Sequence, residues 1–428
     1  MQIQTKPITL LSIAKLAIYG IFLNYYCFNI LRGSLLPYGT VIFYGLAGAC
    51  VVATAFGEKI SLSSEIGCWI AYAAFSLLTV GFAVNSSEAL KGVGEYTQRL
   101  VLIIMIAFIC EKEQSVKFAI RLLAVTAIAC AVSSLLMSED VSKKLTMVSG
   151  ASVSTNDIGA LMAFGCFAVL FAFGVREKKS TIKLIIKIAY IIAAISVIFI
   201  AGSRKSILAI FILFGLIFLL CAKDLFKNIS TLQLLIFILL IIIAIVIVYY
   251  YLLPNLEQTD MYQRVYGRKA ESTVASDESR IEFYQMAFKD FAKHPLVGLG
   301  LENFAVVHGG TYSHSSFAEP LACSGIISIL YFLPYIMIPI KQIQLIKRNK
   351  LNPLEYVWQK ELLAFYISFL FVGLGIPYIY KDIPCIVFAT FIASQKISFE
   401  KLNESAGEQS AEGGANEQIT NQSITCLT

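Results

Sequence analysis

Three histidines, His294, His308 and His314, are the only ones in 428 residues, and all fall between positions 294 and 314. A neutral imidazole, with an ordinary pKa near 6.5, can take a proton from a substrate hydroxyl at neutral pH. Their spacing does not match a two-histidine helix motif for metal, and no cysteine stands near them, so no metal site is expected. His294 precedes Pro295 and reads as a helix-end residue. His308, in "VVHGGTY", reads as an ordinary loop residue. His314, in "TYSHSSFAEP", differs because a long apolar run begins just after it, with Glu319 inside that run. A carboxylate in such a run is costly and is a functional candidate. The plainer reading of His314 is an interface histidine with a polar tip.

Cations are the second set. "FIAGSRKSILAIF" leaves Arg204 and Lys205 at a tight turn between two apolar runs. An arginine there either snorkels to the interface or offers its planar fork to an anion such as phosphate. In "SRIEFYQMAFKDFAKHP", Ser279 and Glu282 form a capping-box pattern, so a helix is expected to start at Arg280. A cation in a first turn opposes the helix dipole, whereas a phosphate would be favoured there. Arg264 and Arg268 precede it, and Ser315 follows His314. Between residues 254 and 315 six Lys and Arg face eight Asp and Glu, so anion binding must come from position rather than net charge. There is no P-loop, dinucleotide fingerprint or paired-aspartate D-x-D motif, which argues against a nucleotide-dependent enzyme, and no cofactor is expected.

The elements that must position these residues are membrane spans. The chain is 57% hydrophobic and 14% charged, with a mean hydropathy of +0.74. Crossing a bilayer takes about 20 helical residues, and runs of that length recur almost end to end. "LQLLIFILLIIIAIVIVYYYLL" is apolar on every side, which selects helix over a transmembrane barrel. The fold class is therefore an all-α polytopic membrane protein with about twelve spans, near 8–31, 36–57, 66–84, 97–110, 116–137, 157–174, 182–202, 205–222, 229–253, 316–340, 360–377 and 383–395. The organisation is nine helices over 1–253, a long outer loop at 254–315, three helices over 316–398 and a polar tail at 399–428 that reads as disordered. Basic clusters at 176–183, 223–227 and 341–350 put alternate loops, and both termini, in the cytoplasm. The net charge of +6 thus reports orientation and not nucleic acid. In the outer loop Ile281, Tyr284, Phe288 and Phe291 recur at spacings of three and four, the apolar face of an amphipathic helix that Pro295 must end.

"SRIEFYQMAFKDFAKHPLVGLGLENF" followed by "YSHSSFAEPLACSGIIS" resembles the signature region of the O-antigen ligase and polymerase superfamily of bacterial envelope glycan assembly. The matching positions are Arg280, His294, Pro295, Gly298, Gly300, His314 and Gly325, and "GSRKSIL" is similar to the family's outer Ser-Arg turn at Arg204. The asparagine usual after the histidine is Ser315 here. The resemblance implies a multi-pass protein of the bacterial cytoplasmic membrane. Its activity would be metal-independent glycosyl transfer on the outer face, from a glycan linked to undecaprenyl diphosphate. Arg204 and Arg280 would hold the diphosphate, with Arg264, Arg268, Lys205 and Ser315 as further substrate contacts. His314, with Glu319 as the second candidate, would orient or deprotonate the acceptor hydroxyl. The expected activity is polymerisation of capsule, exopolysaccharide or O-antigen repeat units; transfer to lipid A core is the alternative. A transporter or flippase of lipid-linked sugars is a third reading. Partners would be the bilayer, the lipid-linked oligosaccharide, and flippase and chain-length regulator proteins.

Overall fold

Backbone groups inside hydrocarbon must be satisfied within their own segment, which forces the apolar runs into helix. A computed structural model describes residues 9–28, 39–56, 62–136, 154–172, 181–226, 270–350 and 352–425, and the regular elements among them are helical. In chain order they are α1 (Leu10–Leu23), α2 (Gly39–Ala55), α3 (Ser64–Leu78), α4 (Ser86–Lys112), α5 (Lys117–Leu136), α6 (Thr155–Ala172), α7 (Thr181–Ala201), α8 (Arg204–Phe226), α9 (Ala270–Lys293), α10 (Asn303–Val307), α11 (Ala318–Ser324), α12 (Ser328–Arg348), α13 (Pro353–Gly373) and α14 (Ile383–Thr425).

Local sequence accounts for the helix starts. Thr9, Ser63, Asn85 and Asn352 each accept a first-turn amide at the heads of α1, α3, α4 and α13, and Pro353 occupies a position where no amide is needed. Six stretches among the described residues are long and apolar enough to cross a membrane: Leu10–Cys27, Ser86–Lys112, Lys117–Leu136, Arg204–Cys221, Ala318–Arg348 and Ile383–Glu404. Four shorter apolar helices accompany them, Gly39–Ala55, Ser64–Leu78, Asn156–Ala172 and Ile185–Ala201. The protein is polytopic and its described elements are helical as expected; the described residues hold six full-length spans and four shorter apolar helices of the twelve anticipated, and the expected span at 229–253 lies outside the described residues. The short span expected at 97–110 is the apolar half of the 27-residue α4, whose outer turns pair Lys91 with Glu88 (3.3 Å) and Arg99 with Glu95 (3.2 Å). Aromatic stacking joins α6 to α13, with Phe167 and Phe365 at 4.1 Å between ring centres and 6° from parallel.

Three features depart from the sequence expectation. Helix α9 begins by Ala270, so Ser279 lies inside it and does not cap it, and Arg280 is not in a first turn. Its inward face is also rotated. Ala287 and Asp290 are buried, while Ile281 (57%) and Phe288 (58%) stay exposed. The cause is Asp290, a polar residue that turns inward because His308 meets it there at 2.6 Å. Third, α14 continues through 399–425, where Glu, Gln and Ala are strong helix formers.

The span expected at 316–340 is broken at residues 325–327. α11 stops after seven residues, Gly325 takes φ +58°, and α12 starts at Ser328. The carbonyls of Ala322 and Cys323 are free at the break to accept Leu299 N–H (3.0 Å) and Gly300 N–H (2.8 Å), and Pro295 O accepts Ile326 N–H (2.8 Å). The Pro295–Gly300 turn is thereby stitched to the broken helix. A β-carbon on Gly298 (φ +66°) would lie 2.3 Å from the Cys323 carbonyl carbon, and one on Gly325 would lie 2.6 Å from Pro295 O. Gly309 also has φ +68° but faces open space. Gly309→Ala should then cost about 1 kcal/mol, for backbone conformation alone, whereas Gly298→Ala and Gly325→Ala should cost about 3 kcal/mol or more through added overlap. Thermal unfolding of the purified variants checks this; equal losses in all three would contradict the stitched turn.

Candidate functional site

Where α13 ends at Gly373 its last carbonyls lose their helical partners. Gly373 O accepts the Ser316 amide, and side chains from three other elements satisfy the carbonyls of the turn that follows, residues 374–376. Lys205, in the first turn of α8, donates Nζ–H to Gly375 O at 3.0 Å. Tyr284 of α9 donates its hydroxyl to Leu374 O. Ser316 donates Oγ–H to Ile376 O at 2.5 Å and its amide to Gly373 O at 2.9 Å, and its Oγ accepts Tyr378 N–H at 2.9 Å. A β-carbon at Gly375 would displace the end of the Lys205 side chain, so the absence of one lets Lys205 reach the Gly375 carbonyl. One short turn therefore fixes the arginine-lysine turn, the outer helix and the histidine loop relative to each other.

Between these elements lies a cavity of about 250 Å³ lined by Asn156, Gly202, Arg204, Lys205, Leu208, Arg280 and Phe371. Arg280 shares its wall with Arg204 and Lys205, about 75 residues earlier in the chain. The tight turn before α8 packs against α6 because Gly159 has no side chain: a β-carbon there would sit 2.5 Å from the hydroxyls of both Ser203 and Ser206. The helix N-terminus at this cavity belongs to Arg204 and Lys205, not to Arg280. Its amide dipoles and the neighbouring guanidinium groups favour the same ligand, an anion.

His314 stands at the same junction. Its backbone is left-handed, φ +58°, a conformation that costs about 1–3 kcal/mol in a non-glycine residue and persists only where neighbours enforce it. Its neighbours supply the enforcing contacts. Glu319, fully buried, accepts the Ser313 amide at 2.6 Å, Ser315 Oγ accepts Phe317 N–H and Ala318 N–H at 3.1 and 3.2 Å, and Ser316 binds the α13 turn. Phe283 of α9 lies beside the imidazole, 6.2 Å between ring centres. Burial first, then the charges of Arg280, Lys205 and Lys381, push the His314 pKa down to about 4, so the ring is neutral at neutral pH. Glu319 and Ser315 thus hold the loop that presents His314. Arg264 and Arg268 lie outside the described residues.

Several polar groups at this end of the molecule carry no motif in the sequence. His308, which read as an ordinary loop residue, bonds Asp290 and stacks on Phe304 at 4.4 Å, which pins α10 to α9. Glu302, also left-handed (φ +63°), accepts the Tyr312 hydroxyl at 3.0 Å, and burial raises its pKa. Arg99 lies 3.2 Å from Asp382, and Lys381 lies 2.8 Å from Asp157. The periodicity of the flanking helices marks none of these pairs, because each joins elements distant in sequence. Among the described residues no cluster of three or more His, Cys, Asp or Glu is placed to hold a metal.

Residues 189–333 match the family model described as O-Antigen ligase, about a third of the chain, and the matched segment contains Arg204, Arg280, His314 and the stitched glycines. The match supports the O-antigen ligase and polymerase superfamily that the motifs resemble. No curated protein matches the chain.

Ser316 makes a sharp test of how the site is held, because it is fully buried and touches no cavity residue through its hydroxyl. Ser316→Ala leaves Ile376 O and Tyr378 N–H without that partner, at about 2 kcal/mol or more. The expected result is a lower unfolding temperature together with reduced transfer activity. Full activity at unchanged stability would separate the turn from the site.

Proposed function

We propose that this membrane protein, which carries an O-antigen ligase domain, transfers glycan from a polyprenyl diphosphate donor to a hydroxyl of an acceptor glycan at the outer face of the cytoplasmic membrane. Its acceptor is a second lipid-linked repeat unit, so that the product is polymer. The observation that carries the proposal is the cavity where Arg204, Lys205 and Arg280 converge next to a neutral His314.

The chemistry follows from the charges. The acceptor oxygen attacks the anomeric carbon, and the bond from that carbon to the phosphate oxygen breaks. Its electron pair leaves with the diphosphate, and the acceptor proton passes to His314. Charge grows on the leaving group as the bond stretches, and fixed guanidinium groups stabilise it without reorganising. At an effective dielectric near 20, one cation about 4 Å from a unit charge is worth on the order of 4 kcal/mol. Arg204 and Arg280 fill this role, Lys205 assists, and Glu319 and Ser315 position the histidine loop. Leu208 and Phe371 give the cavity an apolar wall suited to the first units of a lipid tail. A second reading, ligation of finished polymer to lipid A core, draws on the description of the matched family model.

The chain's own gel pattern decides between them. Loss of a polymerase leaves single repeats on lipid A core, loss of a ligase leaves polymer on its lipid carrier, and build-up inside the cell indicates a flippase. Arg204→Ala, Arg280→Ala and His314→Ala should each cut transfer by about 10²-fold or more, with the protein still inserted. Wild-type chain lengths in all three would remove the site assignment. Because the neutral ring is the active form and its pKa lies below 6.5, kcat/KM, which reports the free enzyme, should hold steady as pH falls through 6.5 and decline only nearer 4. An acid limb centred at or above 6.5 would show that the burial and cations around His314 do not act on it.

A further inference from the structure

Among the described residues that line the cavity, one side chain is polar without being charged: Asn156, in the first turn of α6 and outside the segment that the family model matches. An asparagine at a helix start ordinarily caps the helix, but here Ser154 does so. Its Oγ accepts Asp157 N–H at 3.2 Å, and Asp157 Oδ2 accepts Ser154 N–H at 3.3 Å, a reciprocal capping pair. Asp157 Oδ2 also accepts Lys381 Nζ–H at 2.8 Å, which fixes this first turn. Asn156 and Gly159 stand three residues apart on one face of α6, and Gly159 is the residue that lies against Ser203 and Ser206. The Asn156 carboxamide is therefore on the side of α6 that meets the head of α8, on the cavity wall with Arg204 and Lys205. It does not serve the fold, since no hydrogen bond joins it to another described residue.

A carboxamide both donates and accepts, whereas arginine and lysine only donate. Toward a diphosphate an acceptor is wasted, because the ionised phosphates have no hydrogen to give, and a hydrocarbon tail has none either. The part of a glycosyl diphosphate that can donate to Asn156 Oδ1 is the sugar. Its nearest such group sits on the ring carbon next to the anomeric carbon. We propose that Asn156 is a specificity-determining residue that reads the first sugar of the donor: its Oδ1 accepts from an O–H or N–H on the carbon adjacent to the anomeric carbon. The proposal rests on the reading of the cavity as a diphosphate site. As the bond to phosphate stretches, positive charge develops at the anomeric carbon and the neighbouring O–H or N–H becomes a stronger donor, so this hydrogen bond tightens in the transition state. Arg204 and Arg280 stabilise the negative side of the breaking bond and Asn156 the positive side. A carboxylate at position 156 would accept equally well but would repel the diphosphate; a neutral amide is the acceptor that an anion site tolerates.

Transfer assays on the full chain in lipid nanodiscs test this, with lipid-linked glycan extracted from a strain lacking the chain as donor and inorganic diphosphate as competitor. Asn156→Ala should lower kcat/KM about tenfold, the scale of one neutral hydrogen bond. The affinity for inorganic diphosphate and the unfolding temperature should stay at the parent's values, because the amide serves neither the phosphates nor the fold. On a synthetic donor lacking the hydroxyl or amide at that carbon, the parent should lose the same factor and Asn156→Ala nothing further, as a double-mutant cycle requires of a direct contact. Equal loss of transfer and of diphosphate affinity would place the amide on the phosphates. Unchanged transfer, a loss matched by a lower unfolding temperature, or a further loss on the synthetic donor would remove it from that sugar group. Each of these overturns the role of Asn156 and leaves the cavity reading intact. Failure of the parent chain to bind diphosphate, or binding indifferent to Arg204→Ala, overturns both.

Discussion

The site depends on one constraint, that a helix end buried near a membrane must have its carbonyls satisfied by something other than water. At the end of α13 the carbonyls of residues 373–376 are satisfied by Lys205, Tyr284 and Ser316. Each donor comes from a different element, and each element carries a chemical group: Lys205 itself and its neighbour Arg204 on α8, Arg280 on α9, His314 two residues before Ser316. The backbone needs of one turn thus assemble the cavity. Cations alone would repel one another and would not gather without such a framework. The framework costs little, because the bonds that build it are ones the helix end requires in any case.

A second device, the break at Gly325, solves a different problem. A continuous helix from 318 would keep the Ala322 and Cys323 carbonyls inside its own ladder. Interrupting it hands them to Leu299 and Gly300, which docks the Pro295–Gly300 turn onto α11. The docked loop also explains how His314 can hold a left-handed backbone. Its strain is distributed among Glu319, Ser315 and Ser316 on one side and Phe283 of α9 on the other. A histidine on a mobile loop could not be kept at a fixed angle to an anion on another element.

Much of this was legible in the sequence and some was not, for physical reasons. Apolar runs disclosed helices because hydrocarbon leaves no alternative, and Arg204, Lys205, Arg280 and His314 stood out because polar groups beside such runs are costly. Pro295 correctly ended α9. Its start was misread because Ser279 and Glu282 fit a capping pattern locally, yet residues 270–278 are also competent for helix, and a cap pattern does not exclude helix upstream. The inward face of α9 was misread because Asp290 counts as polar in any periodicity, whereas its partner His308 makes burial favourable. Lys381 and Asp157 were invisible for the same reason. Pairing between residues 224 positions apart leaves no trace in spacing.

Charge segregation ties these observations together. At this end of the molecule several carboxylates are engaged: Asp157 by Lys381, Asp382 and Glu95 by Arg99, Asp290 by His308, and Glu302 by Tyr312. Arg204, Lys205 and Arg280 share a cavity wall to which the described residues contribute no carboxylate. A site for a neutral sugar would gain nothing from that separation, since hydroxyls are recognised by donors and acceptors in mixture. A site for a diphosphate gains directly, because each carboxylate removed from the wall is a repulsion removed from the ligand, and screening is weak where the pocket is partly buried.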